Sequence, residues 1–379
     1  MLQQELQTEI DQVLAGMEAL VSASSGGKKE KLLPLFEKHV RRNQAVLPAY
    51  AGFLKKSGFT DSSRIHDYAD IPYFHVSAFK GHELCLVPKD QVTRVLQSSG
   101  TSTSQPSKIF LDKPTLFRQT KALAGSLISV IGSKRRPFLV LDSSARMQSQ
   151  DSITARDAVI RGLAPFASKM VYAMKAASAT ATPELDVEAI RAFFKEVGDQ
   201  EYLIAGMTFS AWMDVILPLK KLGVSFSSRQ GLLLHGGGWK KLIEMSVNNS
   251  VFAQAASDVF GMPATQVRNF YGMAEQVGVI FLDCSQGYKH APGFAEVVIR
   301  DFTTLKPVKP GQVGLIEVVS ILPTSYPGHA ILTDDVGTLI GEDNCKCGQK
   351  GTYFQFRSRV EASELRGCGD VQAASRVIG

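Results

Sequence analysis

Three short apolar runs limit the possible folds of this chain more than any other feature: PFLVLD at 137–142, EYLIAGMT at 201–208 and GLLLHGGG at 231–238. Each is followed by helix-forming sequence. Apolar runs of this length without polar alternation suit strands covered on both faces, and such strands alternating with helices build a parallel sheet. After residue 290 the texture changes, and FAEVVIRD (294–301) and GQVGLIEVVS (311–320), joined through Pro and Gly, predict an antiparallel hairpin or small barrel. The opening region is expected to be mainly helical. Leu2, Leu6, Ile10, Leu14 and Met17 recur at helical spacing, SASSGGKKE (22–30) is expected to end that helix, and a second helical pattern over 32–59 is expected to stop at Gly58.

A length of 379 residues allows two domains or one large α/β domain. No apolar stretch is long enough for a membrane span, and the acids Glu5, Glu9 and Asp11 near the start argue against a secretory signal. A cytoplasmic location is therefore expected. The net charge of +6 is spread among interspersed acids, which argues against a nucleic-acid partner. Five cysteines (Cys85, Cys284, Cys345, Cys347, Cys368) do not look like a disulfide framework, and a reducing compartment would leave them free for metal or catalysis.

Four stretches carry candidate chemistry. In QSSGTSTSQPSKIFLD (97–112), Gly100 lets backbone approach an anion while Ser98, Ser99, Thr101, Ser102 and Thr103 offer hydroxyls, and Lys108 could add a countercharge. This is no Walker A loop, and a solvated turn is the alternative reading. In RNFYGMAEQVGVI (268–280), Tyr271 and Gly272 could lie against a planar ligand, and Glu275 could reach a divalent cation held by phosphates. The alternative is a buried Tyr and a surface Glu. In LLLHGGGWKKL, His235 precedes Gly236, Gly237 and Gly238 at the carboxyl end of a strand, where open α/β sheets bind ligands; the alternative is a tight turn. In ILTDDVG, Asp335 could accept both hydroxyls of a ribose, or could belong to an Asp-rich turn.

Taken together and in order, these stretches resemble one superfamily. SSGTSTSQPSK looks like the phosphate-binding signature of adenylate-forming enzymes, HGGGW like their glycine-rich adenine-facing turn, YGMAE like their Tyr-Gly-x-x-Glu motif and LTDDVG like their Thr-Gly-Asp motif. Within it, IPYFHVSAFKG (71–81), SKIFLDK (107–113) and the ending SELRGCGDV resemble the LuxE-type acyl-protein synthetases of the bacterial fatty acid reductase system, which are related to phenylacetate-CoA ligases. The pattern departs from the superfamily at Thr103, where a Gly is usual, at Pro106, which stands one position late, and at Asp334, which replaces the Gly of Thr-Gly-Asp. Arg359 also stands about one residue closer to Arg366-Gly367 than in relatives with lids.

The resemblance implies an α/β fold with a large adenylate-forming N-terminal domain of parallel sheets, a small β subdomain and no full C-terminal lid. The expected divisions are a helical region (1–60), an α/β core (61–290), a small β subdomain (291–360) and a short arm (361–379) bearing Cys368. The implied cofactors are ATP and Mg²⁺. Gly100, Thr101, Ser102 and Thr103 would hold phosphates, Tyr271 would stack near adenine, Glu275 would bind Mg²⁺, Asp335 the ribose, and Arg359 would face the phosphate region.

Cys368 lies between two glycines beside Arg366, a setting that exposes the sulfur and favours its thiolate; an inert cysteine on a tail is the alternative. In the LuxE-type family the enzyme's own C-terminal Cys carries the acyl group, and Cys368 matches that position. The implied reaction is activation of a fatty acid, thioester formation on Cys368 and transfer to an acyl-reductase or acyl-transferase partner. Transfer to coenzyme A or a carrier protein, and a non-catalytic scaffold subunit, stand as alternatives. Separately, Cys345 and Cys347 with Cys284 and His290 make a candidate Cys₃His set for a structural zinc, against reduced thiols in a turn. His75 reads better as a core histidine than as part of an acyl pocket.

Overall fold

The computed structural model describes residues 2–16, 20, 23–97, 106–147, 155–176, 178, 181–239 and 246–359. The chain divides into two compact units, Met1–Ser126 with Gly272–Phe281 and Tyr288–Gly379, and Leu127–Tyr271 with Leu282–Gly287.

The first unit begins with helix α1 (Leu2–Ala15), whose buried face is Leu6, Ile10 and Leu14, as the spacing predicts. Helix α2 (Ser25–Val46) starts inside the segment expected to be a break. Its Gly26-Gly27 pair is tolerated in the first turn because the Ser24 side chain caps the Gly27 N–H at 3.3 Å and Lys28 is buried, 3.3 Å from Glu296. The second expected helix is divided in two. Pro48 holds Leu47 in an extended conformation and opens α3 (Pro48–Lys56), since it restricts the residue before it and suits a first helical position. Gly58, at φ 77°, follows α3.

Strands of the whole chain are numbered in order. The first unit contains β1 (Phe74–His75), a ribbon of β2 (Val92–Gln97) and β3 (Lys108–Asp112), and then β11 (Lys289–His290), β12 (Ala295–Arg300), β13 (Val313–Ser320), β14 (Ala330–Glu342) and β15 (Thr352–Arg359). The expected hairpin is β12–β13, running antiparallel from Ala295↔Ser320 to Arg300↔Leu315. It is part of a larger sheet ordered β11-β15-β14-β13-β12, with β1 parallel to β14.

The second unit is built on β4 (Arg136–Ser143), β5 (Ala167–Lys175), β6 (Glu184–Leu185), β7 (Tyr202–Met207), β8 (Gly231–Gly236), β9 (Val267–Tyr271) and Leu282, the second residue of β10 (Phe281–Leu282). Their order is β10-β9-β8-β7-β4-β5-β6, and β5, β4, β7, β8 and β9 run parallel. The three apolar runs are β4, β7 and β8, adjacent at the sheet's centre, where both faces are covered. Helix α4 (Val187–Val197) buries Ile190, Phe193, Phe194 and Val197, one stripe at helical spacing, and Asp186 caps its Ala189 N–H at 3.0 Å. Helix α5 (Asn249–Phe260) buries Phe252, Ala256 and Val259 in the same core as Leu139, Ile204, Leu233 and Trp212. Among the described residues no helix is long and apolar enough to cross a membrane.

Candidate active site

In the second unit the candidate residues gather at the carboxyl ends of β8 and β9, the edge of a parallel sheet where ligands bind. β8 ends at Gly236, and Gly237 and Gly238 continue as exposed backbone. A Cβ at Gly236 would lie 2.3 Å from the Phe270 ring, and one at Gly237, whose φ is 83°, would lie 2.5 Å from Met207 Cε. Glycine is required here by packing as well as by conformation. His235 is buried within the sheet: its Nδ1 lies 3.0 Å from Thr208 Oγ1 and 3.3 Å from Asn269 Nδ2, and its ring stacks on Phe252 at 4.0 Å. Tyr271 closes β9 and is buried, and Gly272 after it is exposed.

In the first unit Glu275 occupies a short helical turn, Ala274–Gln276, with only 6% of its surface exposed. The turn is fixed from several sides. The Tyr326 hydroxyl donates to the Glu275 carbonyl oxygen at 2.9 Å and accepts from Gln119 Nε2 at 3.2 Å. Gln276 Nε2 donates to the Gly328 carbonyl and, at 3.4 Å, to that of Val318. Gly278, at φ 89°, passes so close to Gln119 that a Cβ would lie 2.7 Å from its carbonyl oxygen. Tyr326 is wholly buried, and burial pushes its phenol well above the usual range, so it remains a hydroxyl donor.

The two acids of ILTDDVG have different partners. Asp335 lies opposite Arg359 in the β14–β15 register, and Arg359 Nε is 3.2 Å from its Oδ1. Thr333 Oγ1 accepts the Asp335 N–H at 3.0 Å and donates to the Ile316 carbonyl at 2.7 Å, which fixes the backbone at this point. Asp334 Oδ1 lies 3.0 Å from His75 Nε2, brought there by the parallel pairing of β1 with β14. His75 Nδ1 meets Ser77 Oγ at 2.8 Å and accepts the Ser77 N–H at 3.3 Å, which leaves Nε2 as the ring nitrogen nearest Asp334. Burial raises the Asp334 pKa, but the hydrogen bond and charge of His75, with Arg359 and Lys80, outweigh it and hold the carboxyl below its ordinary value.

Lys108 begins β3, exposed and paired with Gln97 of β2, so these two residues frame 98–105. Ser98, Ser99, Gly100, Thr101, Ser102, Thr103 and Cys368 lie outside the described residues. In the first unit Cys347 Sγ lies 3.4 Å from His290 Nε2 and Cys345 is buried, while Cys284 is buried in the second unit.

Each unit by itself offers groups of a kind that a nucleotide or its cation can use. A buried carboxylate on a fixed turn suits a magnesium ion, and an aspartate within β14, opposite the end of β15, suits vicinal hydroxyls. Bare glycine backbone admits a flat base. Sequence reading did not single out Tyr326 and Gln119, which hold the Glu275 turn, or the pairing of His75 with Asp334. PTSYPGH signals only a turn, and His75 lies 259 residues from its partner.

The sequence profile described as "Acyl-protein synthetase, LuxE" matches residues 3–375. A long-chain-fatty-acid--luciferin-component ligase of Vibrio harveyi is 24% identical over 312 residues, covering 80% of this chain and 78% of that protein. One of the same name from Aliivibrio fischeri is 30% identical over 137 residues, covering 36% of this chain and 35% of that protein. Among solved structures, the open conformation of a 2-hydroxyisobutyryl-CoA ligase in complex with 2-HIB-AMP and CoA superimposes with a TM-score of 0.64 at 14% identity, covering 90% of this chain and 77% of the other. That likeness establishes the fold as that of adenylate-forming ligases.

Proposed function

The chain belongs to the LuxE acyl-protein synthetase family, and from that premise we propose that it activates a long-chain fatty acid with ATP and then carries the acyl group on its own Cys368. In the first step a carboxylate oxygen attacks the α-phosphorus, the bond to pyrophosphate breaks, and an acyl-adenylate forms. In the second, the Cys368 thiolate attacks the acyl carbon, the bond to AMP breaks, and a thioester remains. A reductase partner then receives the acyl group.

In this reading the hydroxyls and backbone of Gly100–Thr103 hold the β and γ phosphates, with Ser98, Ser99 and Lys108 beside them. Gly236, Gly237, Gly238 and Tyr271 receive the adenine, and Asp335 accepts the ribose hydroxyls. Glu275 binds Mg²⁺, which would neutralise charge on the phosphates, and Arg359 turns from Asp335 toward the same oxygens. No residue needs to move a proton in the first step. Positioning and charge neutralisation account for the catalysis.

The observation that supports this reading most is the extent of the family match, which reaches residue 375 and so takes in the cysteine at 368. The fixed Glu275 turn and the Asp335–Arg359 pair agree with it. The zinc expected at the Cys/His cluster takes no part in this chemistry.

Fatty-acid-dependent exchange of pyrophosphate into ATP tests the first step. Exchange is expected in the wild type and in Cys368→Ser, because adenylation does not use the thiol. An absence of exchange with any fatty acid would refute the reading and favour a scaffold subunit. Exchange accompanied by acyl-CoA formation would instead identify a coenzyme A ligase.

A further inference from the structure

Asp334 stands where the superfamily has a glycine, yet nothing in the backbone requires one. Among the described non-glycine residues only Leu305 and Asp343 have a positive φ, so Asp334 occupies a conformation open to any L residue. Its side chain is 19% exposed and has a partner in His75, 3.0 Å away. Both residues, with Ser77, Thr333, Asp335 and Arg359, belong to the first unit.

The strand around Asp334 is irregular. β13 and β14 pair in one register as far as Glu317↔Leu332 and resume in another at Leu315↔Val336, so Thr333, Asp334 and Asp335 face Ile316 alone. Three residues against one make a bulge, which bends a strand and re-aims its side chains. A bulge gives up ladder hydrogen bonds, and Thr333 replaces them here: its Oγ1 donates to the Ile316 carbonyl at 2.7 Å and accepts the Asp335 N–H at 3.0 Å. That holds the bulge on the β13 edge. On the other edge β14 passes from β1, which pairs at Ile331 and Leu332, to β15, which pairs from Asp335↔Arg359 onward. Thr333 and Asp334 fall in the gap between the two. The contact of Asp334 with the His75 ring spans that gap. The ring is held from behind, because His75 Nδ1 accepts the Ser77 N–H at 3.3 Å and lies 2.8 Å from Ser77 Oγ.

We propose that His75 and Asp334 are positioning residues for nucleotide selection: the pair braces the β14 bulge on its open edge and so sets the Asp335 carboxylate to recognise both ribose hydroxyls. They act through Asp335. The inference rests on the assignment of Asp335 to the ribose. Without either partner Thr333 holds the bulge from one edge only, and Asp335 keeps its arginine neighbour but loses its fixed place. A pair that served stability alone would weaken all nucleotides alike, whereas a positioning pair changes the preference between them.

The test is calorimetric binding of ATP and of dideoxy-ATP, which lacks both ribose hydroxyls, to the full-length chain without fatty acid. Hydrogen bonds from the two hydroxyls to a carboxylate predict that the wild type binds ATP about 30-fold more tightly than dideoxy-ATP. In His75→Ala and in Asp334→Ala that preference should fall to about threefold, with affinity for dideoxy-ATP changed by less than about twofold. The double variant should fall no further than either single one, because the two residues act as a unit. Asp334→Asn, which keeps polar atoms within reach of Nε2, should retain most of the preference. Should His75→Ala fail to fold, Asp334→Ala carries the test. A folded Asp334→Ala protein with the wild-type preference, or one in which both nucleotides weaken equally, would overturn the proposal. A wild type that binds ATP no more tightly than dideoxy-ATP would instead remove Asp335 from the ribose, and this inference with it. Binding is read without turnover, so a missing pyrophosphate exchange leaves the result standing.

Discussion

Arg359 faces Asp335 directly across the β14–β15 register, its Nε 3.2 Å from the carboxylate. The arginine side chain is 60% exposed, whereas that of the aspartate is 12% exposed. A pair this open contributes little to stability, which leaves the guanidinium available to a second anion. Arg359→Ala is therefore expected to slow fatty-acid-dependent pyrophosphate exchange about 100-fold with little change in melting temperature. Equal losses of activity and stability would mark the pair as structural only.

Tyr326 acts on the site through Glu275. Tyr326→Phe keeps the buried ring and removes the donor to the Glu275 carbonyl, at a cost of about 1 kcal/mol. A loosened turn holds its cation less well, so the Mg²⁺ concentration for half-maximal exchange should rise about tenfold. A magnesium titration of wild type and variant checks this. An unchanged midpoint would separate Tyr326 from the metal-binding role given to Glu275.

Acid stability depends on two buried histidines. His39 and His329 stack at 5.6 Å, and His329 also meets Asn43 at 3.1 Å and Tyr50 at 3.1 Å. Burial lowers His329 to about 3, and burial with the neighbouring His329 and Arg42 charges lowers His39 well below its ordinary value. The unfolded chain takes up these protons near pH 6.5 while the folded chain does not. Their contribution is thus fully present above that pH and is lost as pH falls below it, for His329 at up to about 1.4 kcal/mol per unit down to about pH 3. His329→Gln should flatten the decline in melting temperature between pH 6.5 and 4; an unchanged slope would contradict the assignment.

The glycine edge of the second unit makes a steric prediction. Gly237→Ala introduces a side chain at φ 83° and a Cβ 2.5 Å from Met207 Cε, so it should destabilise the protein by about 1–2 kcal/mol. It should also weaken ATP binding, measured by protection against thermal unfolding. Normal protection in a folded Gly237→Ala protein would remove this edge from the nucleotide site.

The parts of the molecule that could be read in the sequence share a physical cause. β4, β7 and β8 are covered on both faces, so their residues are uniformly apolar and stand out without an alignment. β5 is harder to see, because Ser168 and Lys169 are exposed within Ala167–Lys175 and break the run. Gly26-Gly27 reads as a break and so hides the start of α2 at Ser25. What overrides it is the Ser24 cap and the burial of Lys28 against Glu296, a contact 268 residues away. His75–Asp334 and Tyr326–Glu275 exist only through sheet pairing and packing, and neither has a local signature.

The central claim is that Cys368 carries the acyl group, and the mass of the intact protein tests it most directly. After incubation with a long-chain fatty acid, ATP and Mg²⁺, the wild type should gain the mass of one fatty acid less one water and lose it to neutral hydroxylamine, while Cys368→Ser should gain nothing. An acyl adduct of equal yield on Cys368→Ser, or an unmodified wild type in a mixture that has already released AMP, would contradict the account.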